Sequence, residues 1–172
     1  MKITKFLLLS LAVIFLSCSE DEDPKPTSEG MVGNWAITAL DYKGTTTTTA
    51  QGASIKADFT GTGKDMDLIT TFGSNPNTVT SEGSYTIVLK TTYMGQSTTD
   101  EYEMDETVTD GTWTLNGNTL TVTNDLVGSQ NATILEQTST TLKLKAEVNE
   151  SESDQGITVS TKVEAIYTFT KK

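Results

Sequence analysis

GSYTIVLKTTYMGQSTTDEYEMDE, residues 83–106, has the alternation of a long β-hairpin. Gly95-Gln96 offers a glycine-first two-residue turn of the II′ kind, which sets Met94 opposite Ser97. Counting outward, Leu89 then falls opposite Tyr102 and Ile87 opposite Met104, while Lys90 meets Glu101 on the other face. Apolar meets apolar and cation meets anion, so turn chemistry and side-chain pattern agree on one pairing.

The remaining chain reads as strands added to either side of this hairpin. Trp35, Ile37 and Ala39 alternate inward on a first strand of about Asn34 to Lys43. Gly44 and the run Thr45–Thr49 follow; lacking an apolar face, they are expected in a loop or at a sheet edge. Ile55, Ala57 and Phe59 mark a second strand, Gly61–Gly63 a tight turn, and Met66, Leu68, Thr70 and Phe72 the inner face of a third. Asn75-Pro76-Asn77 places a turn inside a loop from Gly73 to Gly83. Beyond the hairpin, Asn116-Gly117 is a strong hairpin signal that sets Trp113 opposite Leu120 and Thr114 opposite Thr119. Asn124–Gln130 reads as loop. In the strand Ala132–Gln137 either Ile134 or Leu135 can face inward, with Leu135 favoured opposite Leu142. Leu142, Leu144, Ala146 and Val148 line the next strand, Asn149–Gly156 is expected to be an acidic loop, and Ile157, Val159, Val163, Ala165, Tyr167 and Phe169 share one face of the last strand.

About ten strands joined in sequence point to an all-β fold, an antiparallel up-and-down barrel of about 8–10 strands, since closure removes the free edges. In such a meander the loops near 44–54, 73–83, 124–130 and 149–156 share one long polar rim. The turns near 61–63, 95–96, 116–117 and 138–140 share a tight rim with both chain ends. The interior is apolar, and Tyr85, Ile87, Leu89, Tyr102, Met104 and Tyr167 are candidate ligand contacts inside it.

Composition narrows the chemistry. The 172 residues leave room for one domain, with a formal charge of -11, no histidine, and lysine as every basic residue. Phosphate backbones are repelled by such a surface, so no nucleic-acid partner is expected. The commonest general base near neutral pH and the bidentate anion clamp are both missing. With one cysteine and no Gly-x-Ser-x-Gly elbow, nucleophilic catalysis has no visible machinery. Asp65-x-Asp67 and Glu150-x-Glu152-x-Asp154 lack the glycine and terminal glutamate of a calcium loop. Neither an enzyme, a cofactor nor a metal site is expected.

The first residues speak to location. Lys2 and Lys5 precede an apolar run from Phe6 to Leu16, too short to span a bilayer core, and Ser17-Cys18 closes it. This arrangement resembles the lipobox of bacterial lipoproteins, which implies removal of residues 1–17 and lipidation of Cys18. Ser19, Glu20, Asp21, Glu22 and Asp23 resemble the export signal of Bacteroidetes-type lipoproteins, which implies an outer-membrane protein facing the cell exterior. Loss of Lys2 and Lys5 would leave ten lysines against twenty-three acids, or -13. Residues 18–30, with Pro24 and Pro26, read as an acidic tether.

With Gly33-x-Trp35 opening the first strand, residues 31–172 resemble the lipocalin-like domains of Bacteroidetes lipoproteins. Thr99-Asp100 continues to Glu101 where lipocalins carry tyrosine, and no arginine exists to pack over Trp35. Two functions follow from the resemblance and the pattern together. One is a surface-anchored, non-enzymatic barrel, expected to be a monomer, binding a small apolar molecule or a partner at its long-loop rim. The other is a structural or adhesive surface lipoprotein with a solid barrel core.

Overall fold

The structure, a computed structural model, describes residues 25–105 and 110–172. A short helix α1 (Ser28–Met31) is followed by eleven strand segments. These are β1 (Gly33–Ala50), β2 (Ala53–Lys64), β3 (Ile69–Phe72), β4 (Thr78–Glu82), β5 (Tyr85–Tyr93), β6 (Gln96–Met104), β7 (Gly111–Asn116), β8 (Thr119–Asn124), β9 (Gly128–Gln137), β10 (Thr141–Asp154) and β11 (Ile157–Lys171). All pairings are antiparallel. β2 and β3 lie end to end along β1, pairing with 41–50 and 33–36 respectively. β5 and β4 lie along β2 and β3 in the same way, and β6 and β7 along β5 and β4. Eleven segments therefore trace eight strand paths, and β11 pairs with β1 to close an eight-stranded up-and-down barrel.

The barrel has two storeys, because its strands differ in length. In the lower storey sixteen apolar side chains form one buried cluster that includes Trp35, Ile37, Phe72, Trp113, Ile134, Leu144 and Phe169. Phe72 and Trp113 meet edge to face with centroids 5.9 Å apart, and Trp113 Nε1 donates to the Gly73 carbonyl. Higher up, β10-β11-β1-β2-β5-β6 continue as a six-stranded sheet, while β8 and β9 stop short. Here β6 pairs only with β5, and β10 beyond Ala146 pairs only with β11.

α1 closes the lower end. Thr27 caps it by accepting from Gly30 N–H, and the Gln137 amide pairs with the Thr27 backbone through both its oxygen and its nitrogen. Met31 is buried beneath, and its carbonyl accepts from Trp35 Nε1 at 2.8 Å. Ser28–Gly30, read from sequence as tether, thus belong to the folded body.

Several local expectations are corrected. Both hairpin turns move by one residue. Met94-Gly95 is the first turn, with positive φ at both positions (48° and 79°) as in a I′ turn, and Tyr93 faces Gln96. Ile87 consequently faces Tyr102, Leu89 faces Asp100, and Lys90 faces Thr99, while Met104 faces Tyr85. In the second hairpin Gly117 takes φ 57° at the first turn position, so Trp113 faces Val122 and Leu115 faces Leu120. Moving a turn by one residue moves its partner list by two, which keeps every side chain on its face.

Two bulges do change faces. Thr38 is extra between Ile37 and Ala39, so that Leu40 and Tyr42, not Ala39, continue the inner row. Between Lys143 and Leu144 the register skips Leu135; Ile134 is buried opposite Leu144, and Leu135 is exposed. The stretches 44–54 and 149–156 are strand and not loop. Each ends in a tight turn, Gln51-Gly52 and Gln155-Gly156, with positive φ at both residues. The Thr45–Thr49 run is paired on both sides, by β11 and β2. Gly61–Gly63 are not a turn either, because β2 passes straight through them. Losing that reversal moves the 73–77 loop to the lower rim and the Met94-Gly95 turn to the upper. The upper rim therefore carries tight turns on projecting strands in place of long polar loops.

Candidate functional site

Strand register defines the inner face of the upper sheet. Side chains of paired residues point the same way, so the rows can be followed across six strands. One row runs Leu144, Tyr167, Leu40, Gly63, Ile87, Tyr102, and the next Ala146, Ala165, Tyr42, Gly61, Leu89, Asp100. Above them come Val148, Val163, Gly44, Phe59, Thr91, Thr98, and then Glu150, Thr161, Thr46, Ala57, Tyr93, Gln96. The Thr46 and Thr161 hydroxyls meet at 3.2 Å, as same-face neighbours must.

Glycine makes the floor smooth. The Phe59 ring lies over Gly44, where an added Cβ would come 2.3 Å from it, and Tyr42 stacks on Phe59 with centroids 5.7 Å apart. An aromatic laid across a strand glycine covers backbone that would otherwise be bare. Of the eleven large hydrophobics that remain exposed among the described residues, seven lie on this face: Ile55, Tyr93, Tyr102, Met104, Val148, Ile157 and Val159. That clustering separates the inner face from the scattered apolar residues of an ordinary surface.

Beneath the floor the Tyr167 hydroxyl bonds that of fully buried Tyr85. Burial pushes the phenols of both Tyr167 and Tyr42 above the ordinary tyrosine range, with Tyr85 partly opposing this at Tyr167. A cavity of about 60 Å³ lies between β8, β9, β10 and β11, lined by Leu120, Val122, Ala132, Leu144 and Phe169 beside Tyr167. Ligand pockets commonly measure roughly 300–1,000 Å³, so this one holds a few waters at most.

The outer face has a different chemistry. Lys43–Glu164 and Lys56–Asp58 pair at 2.7 Å, Lys64 reaches Glu101 at 3.1 Å, and Lys145 reaches Glu147 at 2.8 Å. Hydrogen bonds from Lys56 and Thr45 hold Asp58 below the usual carboxylate range, and Lys43 does the same for Glu164. An open groove of about 760 Å³ crosses this face, but its carboxylates are already engaged by lysine.

The meander is closed by β11 on β1, plugged at its lower end by Trp35, and opens above onto an apolar inner face. The family model described as lipocalin-like domain matches residues 31–144, more than half of the chain. The chain belongs to the lipocalin-like domain family. No curated protein and no solved structure matches it. The lipocalin-like barrel is a binding type of fold, and the family generally comprises non-enzymatic binding proteins.

Within this lipocalin-like barrel the six candidate contacts divide by height. Tyr85 is part of the packed core and Tyr167 is bonded to it. Ile87 and Leu89 are half-buried around Gly61, and Tyr102 and Met104 stand exposed on β6. Cys18 and Ser19–Asp23 lie outside the described residues. Among the described residues no three carboxylates come together in a way that could hold a metal ion. Sequence reading placed Phe59 with Ile55 and Ala57 on one strand face but missed Tyr42, which the Trp35, Ile37, Ala39 alternation put outward. The glycine opposite Tyr42, Gly61, was the available signal.

Proposed function

We propose that this protein is a lipid-anchored surface lipoprotein, non-enzymatic, whose lipocalin-like barrel takes a small apolar molecule or the apolar part of a partner on the inner face of its upper sheet. The observation that carries the reading is the continuity of that face: a filled core below, then rows of inward apolar side chains left open to solvent. The Cys18 lipobox and the Ser19–Asp23 run support an anchor at the outer face of the outer membrane. From Cys18 to Thr27 the tether reaches roughly 30 Å at about 3.3 Å per residue. Because both chain ends of the barrel lie at the lower rim, such a tether points the upper sheet away from the membrane.

The test uses the full chain carrying Cys18→Ala and the uncharged dye Nile red. Dye fluorescence should rise on mixing and be lost in the double variant Val148→Ser/Tyr102→Ser, whose side chains are exposed and whose fold is therefore retained. Equal dye binding by the variant would place the apolar site elsewhere. In parallel, wild-type chain should fractionate with membranes and the Cys18→Ala chain should not. The packed lower storey also favours a second reading, a structural or adhesive lipoprotein with a solid core, for which the dye would find no site at all.

A further inference from the structure

Charge is sorted between the two faces of the upper sheet. Lys43, Lys56, Lys64, Lys90, Lys145 and Lys162 all fall at outward register positions. The inner face holds Glu150, Glu152 and Asp154 along the β10 edge and Asp100 on the β6 edge, with no lysine among the described residues of the sheet. Among the described residues none of these four carboxylates forms an ion pair, whereas four of the six outward acids of the sheet do, Asp58, Glu101, Glu147 and Glu164, leaving Asp41 and Glu103. In a chain of net charge -11 that spends its lysines on outward acids, four inward acids flanking an apolar floor form a surface complementary to a cationic, apolar-faced ligand.

Size selects among such ligands. Between β10 and β6 lie five strand spacings of about 4.8 Å, or roughly 24 Å, measured along the sheet. A small molecule covers one corner of that floor, while the apolar stripe of an amphipathic α-helix lying on it covers several strands at once. The exposed apolar rows suit side chains repeating at i, i+3, i+4 and i+7 on one helix stripe. We propose that the inner face of the upper sheet docks a cationic amphipathic peptide segment, its apolar stripe on the floor between Val148 and Tyr102 and its basic residues against Glu150, Glu152, Asp154 and Asp100.

This rests on the proposed function and narrows its ligand. The probe is a synthetic peptide of about 16 residues with leucine on one helical stripe and lysine elsewhere. It is added to the Cys18→Ala full chain and followed by fluorescence anisotropy. Binding should weaken at least about tenfold between roughly 0.05 and 0.5 M salt. It should weaken at least as much in the quadruple variant Glu150→Gln/Glu152→Gln/Asp154→Asn/Asp100→Asn, and be unchanged in the outer-face control Glu101→Gln/Glu103→Gln/Glu147→Gln. A Leu/Glu peptide should not bind. Equal loss in the outer-face control, or equal binding of the Leu/Glu peptide, overturns the proposal. If Nile red binds and is lost with Val148→Ser/Tyr102→Ser while the Leu/Lys peptide does not bind, the cationic inference falls and the proposed function stands. If neither probe binds, both fall.

Discussion

Lys171 Nζ lies 5.0 Å from the centroid of the Trp35 ring, directly across the β1–β11 seam that closes the barrel. The chain has no arginine, and the final strand supplies the cation that covers this tryptophan instead. A cation over an indole face is worth about 0.5–1 kcal/mol at an exposed site and more when partly desolvated. Lys171→Ala should therefore lower stability by about 1 kcal/mol in urea titration, and Lys171→Arg should restore it. An alanine variant as stable as wild type would show the contact to be incidental.

Two strand glycines should respond to the same added methyl group by very different amounts. At Gly44 a Cβ would meet the Phe59 ring at 2.3 Å and the Lys162 backbone carbonyl at 2.5 Å, and the carbonyl is held in the β1–β11 ladder. Overpacking of this kind costs about 1–3 kcal/mol. At Gly63 the closest atom is the Met66 methyl at 2.3 Å, the free end of a flexible side chain. Gly44→Ala is expected to lower the urea midpoint clearly, and Gly63→Ala to shift stability by less than about 1 kcal/mol. The reverse order would contradict the placement of Phe59 over Gly44.

The β9 bulge makes a prediction that also explains what the sequence could and could not reveal. Ile134 is buried opposite Leu144, and its neighbour Leu135 is exposed. Ile134→Ala should cost about 2–5 kcal/mol, and Leu135→Ala should stay within about 0.5 kcal/mol. Equal effects would mean that the strand is not bulged. Two adjacent apolar residues of similar size carry no internal mark of which faces in; that choice belongs to the ladder with β10. The same holds at Thr38, where the extra residue passes the inward role from Ala39 to Leu40.

Period-two alternation was legible wherever a strand is half-buried, and it survived wrong turns because a shifted turn preserves faces. Thus the core positions Trp35, Leu68, Phe72, Trp113, Leu142, Leu144 and Phe169 follow from pattern alone. The upper ends of β1 and β10 were not legible for a related reason. They have no buried side chain, so Thr45–Thr49 and Asn149–Asp154 look like loop until β11 is seen paired against them. The inward carboxylates Glu150, Glu152 and Asp154 were hidden by the same lack of contrast.

Buried phenols should set an alkaline limit on stability. Burial raises the folded-state pKa of Tyr42 and of Tyr167 above the ordinary value near 10. A group raised in this way contributes its full stability below its unfolded pKa, and the contribution is lost as pH climbs through the folded one. Lys64 and Lys145, raised by their bonds to Glu101 and Glu147, act in the same direction. At the acid end the sign reverses. Asp58 and Glu164 are lowered by lysine partners, so their contribution is present above the ordinary carboxylate value and fades as pH falls below it. The urea midpoint should accordingly be level through the neutral range and decline above about pH 10. To separate phenol from lysine, the slope of that decline is compared in Tyr167→Phe, which cannot ionise yet keeps the ring stacked on Phe169 at 6.4 Å. The slope should be shallower in Tyr167→Phe than in wild type, because the variant has no buried phenol that keeps its proton in the folded state and gives it up on unfolding. A slope as steep as wild type would assign the alkaline loss to Tyr42 or to the lysine pairs on the outer face.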